Sequence, residues 1–561
     1  MVTFDEIRTR AISEWEALEQ SDKPRILVGA ATCGRAAGAL AVLEAINREL
    51  TRHNIQATVT QTGCIGLCYA EPLVDIVKPN RPRLCYGNVT PQIVPQLIKD
   101  YIIKDNPRAD LALGTLGEGS IDGIPKLFEL PMLKPQLRIA LRNCGIIEPG
   151  NINHYIANGG YSSLVKALAM APEEVIKEVK RSGLRGRGGA GFPTGLKWEF
   201  CRNAPSKGRY FICNADEGDP GTFVDRTLLE GDPHAVLEGM LIGAYAIGAT
   251  EGYIYIRAEY PLATEGLKVA INQAKERGLL GDDILGSGFS FDIKVRRGAG
   301  AFICGEETAL ISSIEGERGI PRIRPPFPTE RGLWGKPTAV NNVETLANVP
   351  SIIEKGGDWY ASIGTERSKG TKLFSLSGNI ARSGVVEVAF GLTLRSLVED
   401  IGGGIPNGHK LKALQPGGAM LGLIPASLVD RPIDFEGLVE IGSGVGSGGL
   451  VVIDESACLV DVVYMLMSFA HNECCGKCLI GRLGTKQMLN ILHDITNGRG
   501  QSGAIDLLIE LSESMSLGSL CPLGSGAPGP FMSVVKYWRD ELEAHIEERR
   551  CPAGVCQGLT W

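Results

Sequence analysis

Four glycines in six residues, Gly186, Gly188, Gly189 and Gly191, constrain this chain more than any other stretch, because they permit a backbone of positive φ with no Cβ in the way. Successive N–H groups of such a loop can converge on an anion such as a phosphate, and Lys197 adds a point charge beside them. Gly186, Gly188 and Gly191 also satisfy G-x-G-x-x-G, but the dinucleotide fingerprint requires a strand before the glycines and a helix opening on them. Here residues 172–182 (PEEVIKEVKRS) come first, with Val175, Ile176 and Val179 on one helical face, and residues 209–213 read as the strand that follows. The order helix, glycine loop, strand excludes the usual Rossmann arrangement. It leaves a phosphate loop and a strand that delivers Asn214, Asp216 and Glu217 at its end, where polar side chains can hold a ribityl chain or a ribose.

Length predicts roughly three to four domains at ~150 residues each. A formal charge of −7 with no long basic block argues against a nucleic-acid surface. No apolar run reaches the ~18–20 residues that span a bilayer, and the first residues lack the basic flank and apolar stretch of a signal peptide. A soluble cytoplasmic protein without a transmembrane segment is the expectation.

Fifteen cysteines without a secretory signal suggest reduced thiols or metal ligands rather than disulfides. Three tight groups stand out: Cys64 and Cys68; Cys474, Cys475 and Cys478; Cys551 and Cys556. Residues 25–105 alternate strands (25–28, 57–61, 73–77) with helices (38–52, 90–103), a layered α/β pattern. Cys33 follows the first strand, and Cys64 and Cys68 lie in TGCIGLCYAEP. This arrangement resembles the thioredoxin-like ferredoxin domain, whose pattern is C-x4-C and then C-x3-C. The second pair is present, but Val28 occupies the position of the first cysteine. A two-iron cluster wants four thiolates or a substitute such as His, so Cys33, Cys64 and Cys68 leave one iron position open. Retention and loss of that cluster both remain readings, with Cys85 the only spare thiol nearby.

His545 stands six residues before Cys551, and Cys556 follows, a short-range set with metal-ligand spacing. Zinc takes four N/S ligands in a tetrahedron, so one is missing locally. Cys458, isolated from every other group, is the candidate for a structural zinc that pins the tail.

The motifs GRGGAGFPTGLKW, NADEGDPGTF, GAGAFICGEETAL, PPFP and NNVETLANV, in this order, resemble the NADH-binding flavoprotein subunit of respiratory complex I. They resemble equally its soluble relatives, the diaphorase subunits of NAD-linked hydrogenases and formate dehydrogenases. The resemblance covers about residues 111–556, and the ferredoxin-like first domain points to the soluble branch. It implies a multidomain α/β chain: a thioredoxin-like domain (1–110), an FMN- and NAD(H)-binding domain (111–368), a ubiquitin-like β-grasp domain (369–453), a four-helix iron–sulfur bundle (454–550) and a metal-binding tail (551–561). Short strands at 372–377, 385–388, 410–413 and 450–453 fit the third unit, and helices at 459–470, 485–496, 504–515 and 530–550 fit the fourth.

By the same resemblance, Gly186, Arg187, Gly188 and Lys197 lie near the FMN phosphate, with Asn214, Asp216 and Glu217 at the strand end. Gly305, Glu306, Glu307, Asn341, Asn342 and Thr345 complete that pocket. For Glu306 and Glu307 the plainer reading is that acidic residues in a first helical turn suit the helix dipole. NAD(H) would be held by Phe192, Phe200, Asp219, Glu307, Arg324 and Phe327. Phe302 departs from the family, which has Tyr there. A four-iron cluster is implied through E-S-C-G-x-C-x-P-C-R and a later cysteine. This chain reads ECCGKCLIGR, so Cys475, Cys478 and Cys521 match while Gly481 stands in the third cysteine's place. A three-iron cluster, a four-iron cluster with a non-thiolate ligand, and a rearranged site using Cys474 are all compatible.

No side-chain acid or nucleophile is required, so no catalytic residue is assigned. The implied activity is hydride exchange between NAD(H) and FMN with single electrons passed to clusters. The implied partners are a small two-iron ferredoxin-like subunit and a larger one of hydrogenase, formate dehydrogenase or acyl-CoA reductase type. Flavin-based bifurcation and a non-catalytic scaffold of the same fold are the further readings.

Overall fold

The computed structural model describes residues 3–560. Three sheets and a helical C-terminal region make up the molecule. The first sheet has the order β2-β1-β3-β4-β5, with β1 Arg25–Gly29, β2 Thr58–Thr62, β3 Val74–Val77, β4 Arg83–Tyr86 and β5 Ala112–Leu116; only β1 and β2 are parallel. Its last strand lies past residue 110, in the stretch expected to open the FMN- and NAD(H)-binding domain. β4 lies between the breakers Pro82 and Gly87, and β5 pairs with it despite Gly114.

The N-terminal helix Phe4–Glu19 does not cover this sheet. Ile7 and Ala11 are buried in the central core, and the Trp15 ring meets His154 edge-on at 4.9 Å. Residues 4–19 therefore belong physically with the middle of the chain.

The central sheet, β6 Tyr210–Ala215, β7 Glu251–Arg257, β8 Asp292–Gly298 and β9 Thr338–Asn342, is parallel throughout in the order β8-β7-β6-β9. Its middle strands are near-continuous runs of aromatic and β-branched residues, as a sheet covered on both faces requires. The helix Pro233–Ile247 packs there almost wholly buried, capped by Asp232 at its start and ended by Gly248 at φ 76°. Chain order runs outward from β6 through β7 to β8 and then returns to place β9 on the other side of β6. In an open parallel sheet such a reversal leaves a crevice beyond the carboxyl ends of the two strands, where ligands bind.

The third sheet, in the order β11-β10-β14-β12-β13, comprises β10 Thr371–Gly378, β11 Gly384–Ala389, β12 Leu411–Pro416, β13 Ile424–Pro425 and β14 Gly449–Asp454, with only β10 and β14 parallel. Two buried charges tie it to the centre. The Glu387 carboxylate accepts the N–H groups of Ile139, Ala140 and Leu141 at 2.9–3.0 Å and the Thr371 hydroxyl at 2.6 Å. Lys372 forms an ion pair with Glu344, both essentially without solvent exposure, and also donates to the carbonyls of Leu373 at 2.9 Å and Ser447 at 3.1 Å.

Five longer helices follow: Leu459–Glu473, Leu479–Thr496, Ala504–Gly518, Gly529–Tyr537 and Arg539–Ile546. The single helix expected over 530–550 is two, because Trp538 leaves the helical region at φ −143°, ψ 39°. Among the described residues no helix is long and apolar enough to cross a membrane.

Candidate functional site

Both glycine turns meet at the crevice between β6 and β9. In the first, Gly186 N–H donates to the Phe192 carbonyl at 2.8 Å, closing the loop immediately before the helix Thr194–Asn203. Gly189 and Gly191 have φ of 117° and 63°, and a Cβ on Gly188 would lie 3.0 Å from the Asn342 Cβ at the end of β9. In the second, Gly305 presents its carbonyl to Asn214 Nδ2 at 2.8 Å, and a Cβ there would sit 3.3 Å from the Asp216 carbonyl oxygen. The turns are joined by charge as well. Lys197 Nζ lies 3.3 Å from Glu307 Oε2 and donates to the Val340 carbonyl at 3.0 Å, while Arg324 donates to Glu307 Oε1 at 3.2 Å.

Several expected ligand residues form the frame of the crevice instead of facing into it. Asn341 Oδ1 accepts the Trp198 indole N–H at 2.9 Å. Asn342 caps the helix Val343–Lys355 and donates to Asp225 at 2.6 Å. Thr345 Oγ1 accepts the Arg187 N–H at 2.8 Å. Glu306 caps the helix Glu307–Ile314 through the N–H groups of Thr308 and Ala309, so for this residue the plainer reading holds. The Glu217 carboxylate is taken up by the N–H groups of Asp225 and Arg226 and by the Tyr260 hydroxyl, at 2.9–3.1 Å.

Arg187 departs from its expected place. Its buried guanidinium is taken up at the base of the loop and beyond it, donating to the Arg185 carbonyl at 2.9 Å, the Tyr360 hydroxyl at 3.0 Å and the Lys369 carbonyl at 2.7 Å and lying over the Phe390 ring. Asp219 likewise lies away from the aromatic rim; its carboxylate abuts Gly418 and accepts the Ser447 hydroxyl at 2.5 Å, and desolvation pushes it up to about 6.

What remains free is chemically specific. Asp216 is buried with both carboxylate oxygens lacking a hydrogen-bond partner, Arg257 Nη1 lacks one too, and burial pushes Asp216 up to about 7. Buried polar atoms left unpaired cost about 1–3 kcal/mol each, so this wall suits a ligand with polar edge groups. At the rim, Phe192, Phe200 and Phe327 are 41%, 49% and 50% exposed, the first two with ring centroids 6.4 Å apart. Asp225, Trp198 and Arg257 join the site without a sequence signal of their own, except that Trp198 ends the first glycine motif.

The second glycine turn continues directly into the cysteine region. Phe302 N–H donates to Glu473 Oε2 at 2.8 Å and its ring meets Phe469 at 5.3 Å. Arg318 donates to the Cys475 carbonyl at 3.1 Å, Lys477 to the Pro321 carbonyl at 2.7 Å, and Cys474, Cys475 and Cys521 pack with Ile303 and Cys304. Cys478 and Cys521 each immediately precede a helix N-terminus, and burial pushes the Cys521 thiol up. A Cβ at Gly481 would lie 2.9 Å from Cys478 Sγ and 3.9 Å from Cys474 Sγ, so the thiol of Cys474 reaches toward the place the missing side chain leaves.

Two tighter sets occur among the described residues. Cys458, His545, Cys551 and Cys556 are all buried, with ligand atoms mutually within 4.8 Å. Cys458 Sγ lies 3.3 Å from His545 Nε2, and Cys556 Sγ lies 3.5 Å from the same nitrogen. His545 Nδ1 meets the Glu541 carbonyl at 2.7 Å, which leaves Nε2 facing the thiols. This donor set and spacing fit a tetrahedral zinc ion. Cys33, Cys64 and Cys68 form the other set; Cys85 is not part of it, lying buried in β4 opposite Asp75.

Residues 179–351 match the family model of the Nuo51 FMN-binding domain, and residues 461–545 match that of the NADH-ubiquinone oxidoreductase-F iron-sulfur binding region. The chain is 54% identical over 426 residues, 76% of its length and 87% of the relative's, to the NADP-reducing hydrogenase subunit HndC of Solidesulfovibrio fructosivorans. It is 47% identical to the F 2 subunit of the NADH-quinone oxidoreductase of Rhizobium meliloti, over 74% of this chain and 99% of that one. Its fold matches an NAD+-reducing [NiFe]-hydrogenase structure with a TM-score of 0.66 at 29% identity, covering 96% of this chain and 87% of the other. The chain thus belongs to the family of flavoprotein subunits that includes the NADH-quinone oxidoreductase F subunits and the HndC-type hydrogenase subunits.

Proposed function

We propose that this chain is the NAD(H)-linked FMN flavoprotein subunit of a multisubunit oxidoreductase of the hydrogenase and complex I type. The observation that carries this reading is the meeting of the two glycine turns at the β6/β9 crevice, with Lys197, Glu307 and Arg324 at its mouth and an unpartnered Asp216 in its wall. FMN, when bound, accepts two electrons as hydride and releases them singly. The Gly188 N–H and the Lys197 ammonium would hold its phosphate end, the Gly186 and Arg187 N–H groups being taken up by the Phe192 carbonyl and Thr345. Asp216, near neutral at its raised protonation point, offers a hydrogen bond to a polar ring edge. Phe192, Phe200 and Phe327 give the nicotinamide nucleotide an apolar platform, and Arg324 and Glu307 meet its polar groups.

The fit extends to the cysteine region: Cys474, Cys475, Cys478 and Cys521 would hold the four-iron cluster, Cys474 substituting for the ligand that Gly481 lacks. Cys458, His545, Cys551 and Cys556 would hold zinc. The units proposed are a thioredoxin-like first domain running to the end of β5, the central flavin domain, a β-grasp domain around β10–β14 and an iron–sulfur helical region, with a small ferredoxin-like subunit and a larger redox subunit as partners in the cytoplasm.

Lys197→Ala is expected to raise the dissociation constant for FMN about 10- to 100-fold, the loss of one charge-assisted contact, in a titration of flavin-free protein followed by flavin fluorescence. A wild-type chain that takes up no FMN would overturn the reading and leave the scaffold alternative standing. Cys474→Ser is expected to lower the cluster from four irons to three, seen by iron analysis and electron paramagnetic resonance. Adding Gly481→Cys should restore the fourth. Four irons retained by Cys474→Ser alone would remove Cys474 from the ligand set.

A further inference from the structure

The N-terminal thiols stand too close together for the cluster their spacing suggests. In a two-iron cluster, thiolates on different irons are separated by both metals and the bridging sulfides. Each iron of such a cluster has two positions left by the bridging sulfides, so three thiolates must be divided between both irons. Here all three Sγ atoms lie within 4.8 Å of one another, and Cys64 and Cys68 are 3.8 Å apart. A single tetrahedral ion with metal–sulfur bonds of ~2.3 Å places its sulfurs about 3.8 Å apart. Val28, in the missing cysteine's place, is fully buried among Ile26, Val42 and Ala45 and supplies nothing.

A candidate fourth donor stands beside the three thiols, though outside their mutual 4.8 Å set. Glu71, 6% exposed, brings Oε1 to 3.6 Å from Cys33 Sγ, while Oε2 accepts the Leu73 N–H at 2.8 Å. Its carboxylate fits only because Gly29 and Gly34 flank it: a Cβ on either would lie 2.9 or 3.1 Å from Oε2. A carboxylate buried beside three thiols is costly without a cation, and zinc accepts both cysteine sulfur and glutamate oxygen.

We propose that Cys33, Cys64, Cys68 and Glu71 bind one tetrahedral divalent metal ion of the zinc class, in place of a two-iron cluster. The ion would fasten domains rather than carry electrons. Thr32, next to Cys33, donates its N–H and hydroxyl to Glu230 at 2.7 and 2.5 Å, and a Cβ on Gly63, next to Cys64, would collide with Gly231. Both ligand loops therefore clamp the end of the helix Val224–Gly231, whose Asp225 holds Asn342 at the flavin crevice.

The test is metal analysis of the full-length chain and its variants, with zinc and iron counted as differences from wild type so that the C-terminal sites cancel. Cys33→Ser is expected to lose one zinc per chain with iron and flavin content unchanged. Loss of two irons with a two-iron paramagnetic signal, or no change in either metal, would overturn the proposal. Glu71→Gln removes no thiol and guards against a variant that fails to fold. It should release one zinc to a chelator at least 10-fold faster than wild type, and wild-type resistance would overturn the assignment of Glu71. Because flavin content is read separately, failure here leaves the flavin reading untouched.

Discussion

Cys458→Ser is expected to remove one zinc ion per chain and to destabilise the helical C-terminal region by ~3–4 kcal/mol, about a quarter of the ~10–16 kcal/mol a structural zinc site supplies. The four proposed ligands come from the start of the helix Leu459–Glu473, from Arg539–Ile546 and from the tail beyond it, so one ion there would close three separate segments. The substitution isolates metal binding well. Cys458 is also the N-cap of its helix, accepting the Asp461 N–H through sulfur at 3.4 Å, and serine is the better capping residue. Any loss of stability therefore arises from the site and not from the cap. Calorimetry with metal analysis checks it; unchanged zinc with an unchanged unfolding transition would refute the site.

Lys372→Met should cost about 3–5 kcal/mol, because it leaves the Glu344 carboxylate buried with no counter-ion. Glu344 keeps the Leu373 N–H at 2.9 Å, which cannot offset a full charge in the interior. The double variant Lys372→Met with Glu344→Leu should recover most of the loss, since two apolar side chains tolerate that interior better than one stranded charge. Denaturant unfolding of the three proteins separates the cases. Equal stability of single and double variants would mean that the pair is not the join between the central and third sheets.

Much of the site is legible in the sequence because its residues are clustered there. The periodicity of residues 172–182 is enough to put a helix before the glycines, and that order alone excludes the Rossmann arrangement. Cys458 is a candidate for the tail because zinc demands a fourth ligand and this thiol lies outside the tight cysteine groups, but Cys144, Cys201, Cys213 and Cys304 lie outside them too, and only the fold separates Cys458 from those. Arg187 defeats such reasoning because the groups that take up its guanidinium, the Tyr360 hydroxyl and the Lys369 carbonyl, come from far along the chain. Glu217 and Asp219 share a strand end with Asp216, but which of three neighbouring carboxylates is left unpaired depends on Tyr260, Ser447 and Gly418, from distant parts of the chain. β4 is hidden between Pro82 and Gly87 and β5 carries Gly114 at its centre, while the break at Trp538 carries no proline or glycine to mark it.

Glu473 holds Phe302, and Lys477 holds Pro321, so the loop that closes the crevice and the loop that bears the cysteines share a hinge. Occupancy at either end is then thermodynamically reciprocal: whatever free energy iron contributes to flavin retention, flavin returns to iron retention. The order of insertion is accordingly immaterial to the end state, and removing iron should change flavin affinity by the same factor by which removing flavin changes iron affinity.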